Sequence, residues 1–246
     1  AGNSPDVAAR IVADRLTQLW KQQVLILNRP GAGGVIAAQA ASNAERDGYT
    51  LYMTQASTYT VLPVMQTLPF DLDKAFVPIG LVGEQPIAVA VTPSLPVSTL
   101  PELMELARKT PNGLLYGATN RGGQSHLTGE LLRTRADLPL TFVHASGAAA
   151  SINDVSTGRI PVMFEAIAGL AGAIQGKLVK PLAVASAQRL PNIPDLPTFA
   201  ETLPGFESKG WLALMAPAGT PEPIISRISA DLAIVLAQPE VRDKLA

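Results

Sequence analysis

The sequence predicts an α/β protein built as two similar lobes, and three observations carry that expectation. Short apolar runs alternate with amphipathic or alanine-rich stretches, the order expected of β–loop–α units on a parallel or mixed sheet. Such units occur before Gly83 and resume after Pro86, although no repeat is visible at the level of residues. The chain has 246 residues, 47% of them apolar, which fits one large domain or two small lobes with a sizeable core.

The elements follow in order. Ser4 reads as an N-cap with Pro5 at the first helical position. Val7, Ile11, Leu16, Leu19 and Trp20 then recur at helical spacing, so an amphipathic helix runs to about Gln22. The apolar run at 24–27 reads as a short strand, 34–43 as an alanine-rich helix and 50–54 as a strand. A strand is expected over 87–92. Ser98 then caps a helix over 100–109, which Pro111, Asn112 and Gly113 end. Strands at 114–118 and 140–143 are each followed by a small-residue loop, 119–124 and 146–149. The first loop leads into a helix near 125–135 and the second into a short helix ending at Val155. Strands at 160–164 and 181–185 and an amphipathic helix at 223–237 complete the chain. One lobe is expected to comprise 1–84 with 210–246, and the other 85–209. The two crossings, near 83–86 and 208–211, would serve as a hinge.

Composition excludes several function classes. A net charge of −1 gives no basic footprint for nucleic acid or an anionic membrane. No apolar run approaches the length of a transmembrane helix. The lack of cysteine removes disulfides, thiol catalysis and cysteine metal sites. It also fits an oxidising compartment that avoids stray thiols, although a cytosolic protein could equally lack cysteine. The two histidines, His126 and His144, have no metal-ligand spacing, and neither a metal nor a cofactor is expected. Gly31-Ala32-Gly33 fails as a dinucleotide fingerprint because Ile36 holds the third glycine position. Gly176-Lys177 fails as a phosphate loop because Ala171 and Leu178 hold key places. There is no Gly-x-Ser-x-Gly elbow.

The most informative stretch is 28–50. Gly31, Gly33 and Gly34 permit a sharp turn and close backbone approach just before a helix. Unpaired N–H groups and the positive dipole end would meet there, which suits a carboxylate or phosphate. The loops 54–58, 119–125 and 146–149 repeat this chemistry with Gly, Ala, Ser and Thr.

An ordered series of motifs carries a resemblance. NRPGAGG (28–34), DGYTL (47–51), PFD (69–71), FVPIGLV (76–82), the stretch 93–117, GGQSHL (122–127), GRIPVMFE (158–165) and PGFESKGWLALMAPAGTP (204–221) run along nearly the whole chain. The series resembles the solute-binding proteins of tripartite tricarboxylate transporters, the Bug family. The resemblance implies a type II periplasmic-binding-protein fold, with mixed sheets flanked by helices and a ligand cleft between the lobes. It also implies a monomeric periplasmic receptor that delivers a small organic carboxylate to a membrane permease, without catalysis. The family places a short strand before a glycine turn at the position of Ala1-Gly2-Asn3, so that strand, an export signal and a C-terminal tail are expected outside this chain.

The resemblance implies that small-residue turns of both lobes hold a ligand carboxylate. The matching positions are Ala1, Gly2 and Ser4, then Ser57 and Thr58, and in the second lobe Gly123, Ser125, Gly147 and Ala148. Thr119 and Ser146 belong to the same loops. Where the family usually reads Tyr-Lys-Gly, this chain reads Ala145-Ser146-Gly147, losing an aromatic and a cation, a change that could enlarge the pocket. Arg121 could fork a distal carboxylate, or be an ordinary exposed loop arginine. Glu165 stands where the family often has aspartate, and could take a ligand amine or hydroxyl or lie at a wet rim. His126 reads as structural, and Tyr59 as packing. Two other classes are weighed. One is an α/β enzyme acting on a carboxylate with His126 and Glu165 as acid and base; the other is an effector-sensing regulatory module, for which no DNA-binding helix-turn-helix is visible.

Overall fold

The computed structural model describes residues 4 to 245. The chain forms two compact units. The first takes the residues up to Glu84 and those from Trp211 on; the second is the single stretch Gln85–Gly210.

In the first unit, α1 (Ser4–Trp20) precedes α2 (Val35–Ser42) and β1 (Tyr52–Gln55). Three short helices follow: α3 (Ala56–Thr60), α4 (Leu62–Met65) and α5 (Leu72–Ala75). Strand β2 (Phe76–Val91) begins here and continues into the second unit. The second unit then adds α6 (Leu100–Lys109), β3 (Leu114–Ala118), α7 (Gln124–Arg135), β4 (Leu140–His144), α8 (Ala148–Ser156), β5 (Val162–Ala166), α9 (Ile167–Gln175) and β6 (Lys180–Val184). Strand β7 (Lys209–Pro217) returns to the first unit, which ends in α10 (Glu222–Ala237) and α11 (Pro239–Leu245).

Side-chain alternation along β7 divides the core of the first unit in two. Leu212 and Leu214 join Val12 and Leu16 of α1 with Ile225, Ile228 and Leu232 of α10. Ala213 and Met215 join Ala38 and Ala41 of α2, and Tyr52 stacks on Phe76 at 4.9 Å. β1 pairs antiparallel with β7 and ends the strand order.

The run 24–27 is not a strand. A strand exists only where a neighbour satisfies its N–H and C=O groups, and this run has no ladder partner among the described residues. Leu25 and Leu27 are exposed there. An apolar run alone does not make a strand.

In the second unit β3 lies between β4 and β5, parallel to both. β2 runs antiparallel to β5 and β6. Both faces of this sheet are covered, so β5 is buried at every position. Val162 and Phe164 face Leu103 of α6 and Leu132 of α7. Met163 faces Val155 of α8 and Leu170 of α9. Tyr116, fully buried, meets Phe164 edge to face at 5.2 Å.

One expected cap and several element bounds differ. Helix α6 is capped by Thr99, not Ser98: Glu102 N–H donates to Thr99 Oγ1 at 3.3 Å, while Glu102 Oε2 accepts the Ser98 and Thr99 amides. That reciprocal capping box moves the cap by one residue and leaves the helix itself over the expected 100–109. β5 starts at Val162 rather than 160 because the Ile160 amide is spent on Asp154 O in the turn closing α8. β2 is one strand of 16 residues, despite Pro78, Gly80, Gly83 and Pro86. The sequence reading assigns only its second half.

Candidate functional site

The second unit brings together a compact set of the expected residues. β3, β4 and β5 are parallel neighbours, so their carboxyl ends share one edge of the sheet. Open α/β sheets place ligands at such edges. Thr119 follows β3, Ser146 and Gly147 follow β4, and Glu165 is the penultimate residue of β5.

Two helices start at this edge. α7 begins after Gly123, whose own amide closes a turn onto Asn120 O at 2.9 Å. Its first carbonyl, Gly123 O, accepts Leu127 N–H at 3.0 Å. Helix geometry therefore leaves the amides of Gln124, Ser125 and His126 without an intrahelical acceptor. α8 begins after Gly147, and Gly147 O accepts Ser151 N–H at 3.0 Å. That leaves the amides of Ala148, Ala149 and Ala150. Neither helix has a side-chain cap. A carboxylate placed before either helix would meet N–H donors and a positive dipole end. Gly147 is extended (φ 171, ψ 170), and a Cβ there would have nothing within 4 Å. At Gly123 a Cβ would crowd Asn120 O at 3.1 Å.

Glu165 is buried, at 5% exposure. By strand alternation it lies on the same face as Met163, toward α8 and α9. Its Oε1 accepts the adjacent Ala166 N–H at 2.9 Å, and its Oε2 is buried without a partner. Burial pushes the carboxyl up to about 7, opposed by the Ala166 amide. A wet-rim position is thus not what the structure gives. Ser151, one turn into α8, has a buried hydroxyl that likewise lacks a partner. It faces β3, where a Cβ on Gly117 would stand 2.9 Å from its Oγ. The sequence reading missed Ser151, since a serine among alanines carries no signal of its own.

Arg121 is exposed, and its guanidinium lies 5.4 Å from the centroid of the Phe142 ring. It does not converge with Glu165 in any described contact. Ser146 is exposed, whereas Ser125 and Ala148 are buried and Thr119 is half-buried.

In the first unit, Ser57 and Thr58 are buried in α3. Gly31, Gly33 and Gly34 all take positive φ (125°, 65° and 106°), so the turn before α2 needs glycine. A Cβ on Gly34 would stand 3.7 Å from Thr58 Oγ1, so turn and hydroxyl are neighbours. Tyr59 packs beside Trp211 at 6.1 Å, with a buried hydroxyl lacking a partner. The expected positions Ala1 and Gly2 lie outside the described residues, and Ser4 opens α1. Among the described residues no group of three or more His, Cys, Asp or Glu could hold a metal, and no helix is long and apolar enough to cross a membrane.

Comparison with known proteins gives one consistent result. The family model described as "Tripartite tricarboxylate transporter family receptor" matches residues 8–246. Protein BugT of Bordetella pertussis is 31% identical over 227 residues, covering 91% of this chain and 70% of its own. A Rhodopseudomonas palustris protein solved with adipate is 30% identical, with a TM-score of 0.91, covering 99% of this chain and 82% of its own. MatC from the same organism, solved with bound malate, is 29% identical, with a TM-score of 0.89, covering 99% of this chain and 84% of its own.

Proposed function

The chain belongs to the tripartite tricarboxylate transporter receptor family, and from that premise we propose that it is a periplasmic receptor for a small organic dicarboxylate, which it hands to a membrane permease. The family consists of solute receptors, not enzymes, so an acid–base role for His126 and Glu165 is set aside. The observation that carries the proposal is the shared edge of β3, β4 and β5, where α7 and α8 each begin without a side-chain cap and Glu165 is buried on the sheet face toward α8 and α9.

In this reading one ligand carboxylate accepts from the leading amides of α7 and α8, aided by Thr119, Ser125 and Ser146. Gly123, Gly147 and Ala148 keep the approach open. Glu165, neutral below about 7, offers a hydroxyl to the ligand's second polar end. Ser57 and Thr58 belong to the same proposal for the first unit, as do Ala1, Gly2 and Ser4. Arg121 would have to leave the Phe142 ring to take part. The chain passages at Glu84–Gln85 and Gly210–Trp211 are the proposed hinges. The bound adipate and malate of the two relatives support a four- to six-carbon diacid.

Micromolar affinity needs about −8 kcal/mol, within reach of several charge-assisted hydrogen bonds at about 1.5–3 kcal/mol each. The test is a thermal-shift panel of mono-, di- and tricarboxylates with calorimetry on every hit. A diacid should raise the melting temperature and bind one to one, unaltered. A panel in which no organic acid moves the transition overturns the proposal.

A further inference from the structure

Resting on the receptor reading above, we propose that His126 is a positioning residue: its neutral imidazole holds the 119–123 turn in the conformation that presents the α7 amides, and protonation releases it. Gly122 N–H donates to His126 Nδ1 at 3.0 Å. Gly122 sits at φ 78°, a conformation open to glycine, and the next amide is spent on Asn120 O. The imidazole contact thus ties down the centre of the turn from one helical turn away. The ring itself is fixed edge-on to Phe142, centroids 4.3 Å apart.

An Nδ1 that accepts has its proton on Nε2. Imidazolium carries N–H on both nitrogens and offers Gly122 nothing. The turn's hydrogen bond and a positive charge on this ring exclude one another.

The surroundings favour the neutral ring. Burial holds its pKa below the ordinary value, Glu130 opposes this, and Arg121 on the turn reinforces it. Glu130 is already engaged, accepting from Tyr116 Oη at 2.7 Å and Arg133 Nε at 2.8 Å. β3 contributes Tyr116, whose hydroxyl also reaches His126 O at 3.4 Å. β4 contributes Phe142, with His144 two residues along on the same face, exposed. A folded pKa below the unfolded one means the neutral ring's contribution is whole above about 6.5 and fades as pH falls through the folded value. Acid should therefore slacken the turn and weaken ligand capture.

The experiment compares wild type with His126→Asn, whose Oδ1 can accept where Nδ1 did without titrating, with His126→Leu, which has no acceptor, and with His144→Asn as a control. NMR amide-exchange protection of Gly122 is measured without ligand from pH 8 to 5.5, each value normalised to the intrinsic exchange rate. Adipate titrations follow at the same pH values, expressed as ratios to His126→Asn so that the ligand's own ionisation cancels. Protection should fall with pH in wild type and His144→Asn, stay high in His126→Asn, and be low throughout in His126→Leu. The wild-type to His126→Asn ratio of Kd should rise by about tenfold toward acid pH, the worth of one hydrogen bond near 1.4 kcal/mol. A Gly122 amide equally protected at all pH values, or unprotected in His126→Asn, overturns the proposal. Protection that follows pH in a protein binding no organic acid would refute the receptor reading while upholding the role of the imidazole. Should His126→Leu fail to fold, the wild-type and His126→Asn profiles decide.

Discussion

Replacing Gly147 by leucine tests the α8 N-terminus with little cost to the fold. Gly147 is the N-cap, its backbone is extended in a way any residue adopts, and a Cβ there meets nothing within 4 Å. The cost is confined to a poorer N-cap, about 1 kcal/mol, or a melting shift of about 2–4 °C. Binding should suffer far more. A leucine side chain stands in the approach to the amides of Ala148, Ala149 and Ala150, which α8 leaves without intrahelical acceptors. If a carboxylate takes two of them at about 1.5 kcal/mol each, the loss is about 3 kcal/mol, roughly a hundredfold in Kd. Calorimetry with adipate and malate, paired with differential scanning, reads both quantities. An affinity within about threefold of wild type would refute the assignment of α8 to the anion.

Two further outcomes follow from buried groups. Glu165 has its carboxyl raised from 4.5 to about 7 by burial, so the folded state holds a proton the unfolded chain has lost. Its contribution to stability is whole below 4.5 and is lost as pH rises through about 7. Glu165→Gln removes that falling limb, and its melting temperature should gain on wild type between pH 5 and pH 8, by at most about 3 kcal/mol in stability; parallel melting curves across that range would contradict the raised value. Gly113→Ala should cripple the second unit, because φ is 74° and the new Cβ would stand 1.7 Å from Pro139 O, which also accepts Leu114 N–H. We expect a loss above about 3 kcal/mol and a largely insoluble protein, and a soluble variant with a wild-type melt would refute it.

The sequence was most legible where local chemistry and tertiary packing agree. Helix α6 could be read from its apolar spacing and its Pro-Asn-Gly stop, and β3 and β4 from short apolar runs before small-residue loops. It was least legible where pairing or burial overrides composition. The apolar run at 24–27 lacks a ladder, while β2 passes straight through two prolines and two glycines. Helix α9, Ile-Ala-Gly-Leu-Ala-Gly-Ala-Ile-Gln, has no side-chain cap and little polar contrast, so the sequence shows no helical period there. The small-residue turns of the candidate site were visible as composition. The burial of Glu165, the lone hydroxyl of Ser151 and the grip of His126 on Gly122 depend on neighbours distant in space, or on a ring orientation that no motif encodes.

The second unit is one uninterrupted stretch, whereas the first is assembled from both ends of the chain. During synthesis, Ala8, Val12 and Leu16 must wait for Leu212, Ile225 and Leu232 before their shared core can close. The middle of the polypeptide can mature first, and the opening segment stays unfinished until the last residues emerge. A stalled or truncated product would therefore display its amphipathic first helix to chaperones and proteases, however well its middle had folded.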